Sequence, residues 1–160
     1  MDVTLELIKK EDKYLLVQLM ELCNYEFSVY ENRSINDIRY YGCEQIDDYW
    51  EDGRASYLIR IDGEVAGYVL ISQECKYIHE ENAHCVGEFF IMLKYRRMGV
   101  GINVATQLFD RHPGFWEVCY LRSYPSAGKF WKSVIEKYTD NHYETCGTEK
   151  DKLIGYIFQK

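Results

Sequence analysis

Apolar and polar positions alternate along some stretches of this chain and recur at helical spacing along others. Val3, Leu5 and Leu7 alternate with polar or small neighbours and predict a first strand. Glu11-Asp12 offers a helix cap, and Leu15, Leu16, Leu19, Leu22 and Cys23 follow at helical spacing. From Asn32 to Gly53 the pattern is broken. Ile35, Ile38 and the run Asp47-Asp48-Tyr49-Trp50-Glu51-Asp52 predict a second, partly irregular helical region there. Residues 56–61 and 64–71 read as two strands joined at Asp62-Gly63, a strong hairpin signal. Residues 86–93 read as a further strand. Residues 102–111 carry Val104, Ala105, Leu108 and Phe109 on one face of a helix that stops at Pro113-Gly114. A strand over 116–121 follows. Ala127, Phe130, Trp131, Val134, Ile135 and Tyr138 then form an apolar helical stripe, and residues 153–158 close the chain as a strand.

The predicted order is β-α-α-β-β-β-α-β-α-β, with a short extra strand near 142–146. This is an α/β chain with a mixed sheet and about four helices, read as one domain over residues 1–160. A chain of this length buries roughly two thirds of its unfolded surface, enough for a core. No stretch approaches the roughly 20 apolar residues of a membrane span, and the N-terminus lacks the basic start and long apolar run of a signal peptide. The six cysteines are Cys23, Cys43, Cys75, Cys85, Cys119 and Cys146, with no C-x-x-C pair. No metal set is therefore expected, and a reduced, cytoplasmic protein is. The net charge of −7 argues against nucleic acid as a partner and is compatible with a cationic one.

The chemistry concentrates between the strand at 86–93 and the helix that follows, at Arg96-Arg97-Met98-Gly99-Val100-Gly101. Strand, glycine turn and helix together make an anion site. Glycines let the backbone approach a ligand, and the first helical amides point past the helix start with the dipole behind them. Arg96 and Arg97 add charge suited to phosphate. A dinucleotide fingerprint needs a third glycine where this chain has Val104, and a Walker loop needs a Gly-Lys-Ser/Thr ending that is absent. A basic glycine turn without a ligand is the remaining plain reading.

The Arg-x-x-Gly-x-Gly pattern resembles the acetyl-CoA pyrophosphate loop of the GNAT superfamily of N-acetyltransferases, and the element order resembles that fold over essentially the whole chain. The runs Gly114-Phe115-Trp116-Glu117-Val118 and Phe130-Trp131-Lys132-Ser133-Val134-Ile135 are similar to a subgroup of uncharacterised predicted acetyltransferases. The resemblance implies a mostly antiparallel sheet of six or seven strands, with the fourth and fifth splayed apart. It implies acetyl-CoA as co-substrate, with no metal. The pantetheine arm would bond the backbone of Ile91, Met92 and Leu93. The amides from Arg97 through Met98, Gly99, Val100 and Gly101 to Ile102 would hold the pyrophosphate. It further implies an amine acceptor, either a small molecule or a protein amino group, and often a homodimer.

The family's Asn-x-x-Ala pattern, aligned on Ala127, puts Tyr124 at the asparagine position and Trp131 where a tyrosine usually protonates the coenzyme A thiolate. Phe130 holds the aromatic position between them. Indole N–H has no accessible ionisation, so that role falls to Tyr124 or to solvent. Glu88 is the first candidate base, on the cofactor strand in an apolar stretch that raises a carboxyl pKa; strand alternation puts it opposite Phe89 and Ile91. His84, further upstream, is a second. Tyr25, Phe27, Tyr30, Tyr40, Tyr41, Tyr49 and Trp50 among acidic residues suggest an acceptor wall for a cationic amine. Three functions stay open: an N-acetyltransferase, an acyl-CoA-binding module without catalysis, and another phosphate-ligand protein.

Overall fold

The computed structural model describes residues 1–35 and 46–160. Seven strands form one sheet: β1 (Val3–Leu7), β2 (Arg54–Ile61), β3 (Glu64–Ser72), β4 (Ala83–Ile91), β5 (Phe115–Leu121), β6 (Glu144–Cys146) and β7 (Leu153–Gln159), in the spatial order β1-β2-β3-β4-β5-β7-β6. Every ladder is antiparallel except that between β4 and β5. Helix α1 (Lys13–Glu31) lays Leu16, Leu19, Met20 and Cys23 onto Leu58, Tyr68, Leu70 and Phe90 on one face of the sheet. Helices α2 (Val100–Arg111) and α3 (Pro125–Tyr138) cover the other face with Val104, Leu108, Val134 and Ile135, against Ile59, Val69 and Val118. Coverage on both faces explains why β2 and β3 read as near-continuous apolar runs rather than strict alternation. Each fully buried leucine of this kind contributes roughly 1.5–3 kcal/mol relative to exposure.

The hairpin at Asp62-Gly63 forms with both residues left-handed, φ 50° and 84°, the mirror-image turn whose twist matches the strands it joins. Helix α1 runs well beyond the last periodic position, Cys23, and ends where Asn32 turns left-handed at φ 53°. Asp12 precedes α1 without a side-chain capping bond; a short 3-10 turn, Lys10–Asp12, leads in instead. Within the helical region predicted over 32–53, the described residues Ile46–Trp50 form a 3-10 turn, anchored by the Trp50 indole N–H on the Ile8 carbonyl at 2.9 Å. Ile38, Tyr40, Tyr41 and Cys43 lie outside the described residues. Among those described there are three α-helices, not four.

The sheet is forked. Strands β4 and β5 pair only at Ala83, His84 and Cys85 with Phe115, Trp116 and Glu117. After Val86 the β3–β4 register slips by one residue, so that Leu70 pairs Glu88 while Ile71 pairs Val86. Gly87 is the extra residue, and such a bulge bends its strand and adds twist. Strand β5 meanwhile keeps its ladder with β7 as far as Leu121 and Leu153. The two strands therefore part from Val86 onward.

Glu117 fastens the crotch of the fork. It is buried and accepts backbone N–H bonds from Lys76 (3.0 Å), Tyr77 (2.7 Å) and Ile78 (3.2 Å) of the loop between β3 and β4. Removing the carboxylate strands these donors. Glu117→Ala is expected to lose about 3 kcal/mol of stability in urea denaturation. Loss of less than about 1 kcal/mol would show that the loop finds other acceptors.

Candidate functional site

Beyond the fork the gap widens into a cleft of about 880 Å³. Glu88, Phe89 and Ile91 of β4 form one wall, and Cys119, Tyr120 and Leu121 of β5 the other. Glu26 and Phe27 of α1 and Tyr124, Ala127, Phe130 and Trp131 of α3 complete it. The Met92 amide donates to the Ala66 carbonyl of β3 at 2.8 Å. Antiparallel alternation then turns the amides and carbonyls of Ile91 and Phe89 the other way, toward the gap. Of the three strand-end positions named from the sequence, Ile91 thus turns its amide to the gap while its carbonyl is taken by Arg96, Met92 is spent on β3, and Leu93 starts a 3-10 turn with its side chain exposed at the cleft edge. Phe89, which sequence reasoning missed for this purpose, supplies the other inward-facing peptide.

At the mouth of the cleft the chain turns through two left-handed residues, Arg97 (φ 61°) and Gly99 (φ 80°), into α2. The helix begins at Val100, earlier than its apolar pattern suggests. Its first bond runs from the Asn103 N–H to the Gly99 carbonyl, at 3.1 Å. The amides of Val100, Gly101 and Ile102 therefore have no helical acceptor and sit at the positive end of the dipole. A Cβ on Gly101 would stand 2.9 Å from the Phe130 ring, so any larger residue there must push that ring aside for α2 to keep its place on the cleft wall. A Cβ on Gly99 would meet nothing within 4 Å. Bare amides over an open concavity fit a pyrophosphate. Arg97 and Gly101 line the cleft; Met98 and Ile102 are exposed, and Val100 is buried in the core.

Arg96 has a different part. Its Nη1 and Nη2 donate to the two carboxylate oxygens of Glu26 on α1, each at 2.6 Å, and its Nε donates to the Ile91 carbonyl at 2.6 Å. The guanidinium also lies over the Phe90 ring, 5.6 Å from its centre. These bonds occupy the fork that a phosphate would need, so Arg96 ties the loop to α1 and β4 rather than standing open beside Arg97.

Glu88 follows the bulge and faces α1, opposite Phe89 and Ile91, as alternation predicts. The Tyr68 hydroxyl donates to its carboxylate. Burial pushes the Glu88 pKa up; the Tyr68 bond and the charge of Arg33 pull it back, and Glu31 adds to the rise. The same pocket pushes the Cys23 thiol up to about 12, by burial and then by Glu88, and Tyr49 to about 12 for the same two reasons. Tyr68 is also driven up, by burial and by Glu88, so it is a donor at any physiological pH.

Tyr124 stands at the start of α3, its ring stacked on Tyr30 (4.1 Å) and met edge-on by Phe27 (5.4 Å). Burial first, then Glu26 and Tyr30, raise its pKa. Trp131 is buried, packed edge-to-face on Phe89 and on Phe130, each at 4.9 Å. Phe27 and Tyr30 therefore stand on the aromatic wall. Tyr49 lies behind Glu88, Tyr25 is exposed, and Trp50 is bonded to Ile8. His84 is not brought to the cleft. It lies where β4 and β5 still pair, its ring 5.3 Å from those of His112 and Trp116, and burial lowers its pKa.

Among the described residues no helix is long and apolar enough to cross a membrane. No family model and no curated protein sequence matches the chain. Solved structures do. An acetyltransferase from Thermus thermophilus superposes with a TM-score of 0.74 at 13% identity, covering 100% of this chain and 98% of that one. An acetyltransferase of the GNAT family from Staphylococcus aureus superposes at 0.64 with 11% identity, covering 97% and 98%. An aminoglycoside acetyltransferase from an uncultured soil metagenomic sample, in complex with sisomicin, gives 0.60 at 17% identity over 82% and 86%.

The Arg96 clamp makes a testable claim. Arg96→Ala is expected to cost about 2 kcal/mol in urea denaturation, and adding Glu26→Ala to cost little more; strictly additive losses would show that the pair is not coupled. Forked sheet, covering helices and superpositions agree: the chain has the fold of the GNAT-family acetyltransferases.

Proposed function

We propose that the chain is a single-domain N-acetyltransferase of the GNAT superfamily, transferring an acetyl group from acetyl-CoA to a primary amine by direct attack within a ternary complex. The observation that carries this reading is the fork, with the bare N-terminus of α2 at its mouth and unpaired β4 peptides along its wall. The α2 amides and Arg97 are suited to the pyrophosphate, and the amide and carbonyl of Phe89 with the amide of Ile91 to the pantetheine arm. Acetyl-CoA supplies an acyl carbon that forms the new C–N bond while its C–S bond breaks.

The protein's work is then positioning and proton traffic. An ammonium entering the cleft meets Glu88, which takes its proton and leaves the nitrogen lone pair free. A β4 amide turned into the gap stabilises the charge that grows on the acyl oxygen. The thiolate that departs needs a proton. The Tyr124 hydroxyl at the cleft wall is the donor, protonated at neutral pH because burial raises its pKa. Trp131, at the position where the family usually has a tyrosine, fills the wall instead. Holding amine and thioester together in a narrow cleft supplies most of the rate.

Turnover decides between this enzyme and a binding module. Mixing the protein with acetyl-CoA and an amine panel is expected to release free thiol; binding without thiol release would leave a non-catalytic acyl-CoA-binding module. In calorimetric titration, acetyl-CoA and 3′-dephospho-CoA are expected to saturate and ATP to bind little. Gly99→Asp places a carboxylate at the pyrophosphate position and is expected to abolish that binding while the fold persists. Survival of binding would remove the loop from the site.

Glu88 gives a pH signature. As a base it works when deprotonated, and its pKa is raised. Activity is therefore expected to fall on acidification through a midpoint above the usual carboxylate range. Glu88→Gln is expected to lower kcat by roughly 10²–10⁴ and to erase the acid limb, with acetyl-CoA affinity unchanged. An unaltered acid limb in the variant would assign the base elsewhere.

A further inference from the structure

The cleft is lined by three carboxylates among the described residues, Glu26, Glu31 and Glu88. Two are already matched by cations. Glu26 is held by both terminal nitrogens of Arg96. Glu31, at the last turn of α1, takes Lys152 Nζ at 3.1 Å and Arg33 Nη1 at 3.4 Å. Lys152 directly precedes β7, so this pair reaches across the cleft mouth from α1 to the β6–β7 loop, beside the cleft residue Leu153. Glu88 is different. Its hydrogen-bond donor is the neutral hydroxyl of Tyr68, and the nearest charges acting on it are Arg33, in its favour, and Glu31, against it. Apolar and aromatic side chains share the cleft with it, Phe27, Tyr124 (on which Tyr30 stacks), Phe89 and Leu153, beside the polar Asn24 and Ser126.

We infer that the acceptor is a primary monoamine, one ammonium on an apolar or aromatic body, received by Glu88, and that the pairing of Glu31 with Lys152 and Arg33 excludes polyamines by neutralising the second carboxylate they would need. The inference rests on the acetyltransferase reading. A second ammonium brought into this cleft would lose its hydration without gaining an unpaired carboxylate among the described residues, and an uncompensated charge there is expensive. A ring or alkyl chain, by contrast, replaces water against Phe27 and Tyr124, and the ammonium gains cation–π contact there. Discrimination of this kind comes from a mismatch built against the wrong substrate as much as from contacts to the right one.

The experiment measures kcat/KM with acetyl-CoA for 2-phenylethylamine, hexylamine, 1,6-diaminohexane, spermidine and kanamycin. Both monoamines are expected to exceed the three polycations by at least about tenfold. A preference for spermidine, the diamine or kanamycin, with thiol released, overturns the inference and leaves the acetyltransferase intact. Saturable acetyl-CoA binding with no thiol released from any amine overturns both. The exposed Lys152 gives a second arm. The double variant Lys152→Ala/Arg33→Ala removes both cations from Glu31 and is expected to raise the ratio of 1,6-diaminohexane to hexylamine in kcat/KM by about tenfold, with acetyl-CoA affinity unchanged. An unchanged ratio overturns the role of this pairing.

Discussion

Backbone groups inside a protein must find partners, and β4 and β5 stop supplying each other with them after Cys85 and Glu117. Much else near the cleft follows from that one interruption. Three features hold it open. The Gly87 bulge re-aims β4 at the point where pairing ends. Glu117 pins the loop before β4 to β5 through three amides. Arg96 then caps the Ile91 carbonyl near the far end. The gap is thus not a frayed sheet but a supported one. Its remaining free peptides face a concavity shaped by aromatic side chains.

Arg96 also settles how the two sides of the cleft communicate. One guanidinium bonds α1, through Glu26, and β4, through Ile91, from within the loop that leads into α2. The α1 side of the cleft and the turn into α2 are therefore joined through one side chain. Displacing either one drags on the other through bonds of 2.6 Å.

Much of this was legible in the residues. Among the described residues the period-two and period-3.6 patterns locate six of the strands and the three α-helices, a short extra strand is expected near β6, and Asp62-Gly63 gives its turn. Helix starts are less legible, because amphipathic periodicity marks only the buried face; Val100 and Gly101 belong to α2 through backbone geometry that apolar spacing does not encode. The acidic-aromatic run at 47–52 predicts an irregular helix, and Trp50 and its neighbours form a 3-10 turn fixed by a tertiary bond to Ile8, which local spacing does not encode. The fork itself left one mark, a glycine inside a strand, Gly87, which is how a bulge shows in sequence. The partner of Arg96 could not be read at all, because Glu26 lies 70 positions away and nothing local couples them. His84 shows the converse: the right kind of side chain on the right strand, set too early, where the ladder is still closed.

The tryptophans are unevenly placed. The chain has three. Trp116 is enclosed by Phe109 and the two histidines, and Trp50 is bonded to Ile8. Trp131 alone forms part of the cleft wall, edge-on to Phe89 and Phe130. Its indole emission is consequently a built-in optical reporter. Any molecule entering the fork alters the polarity against that one fluorophore while the other two keep their surroundings.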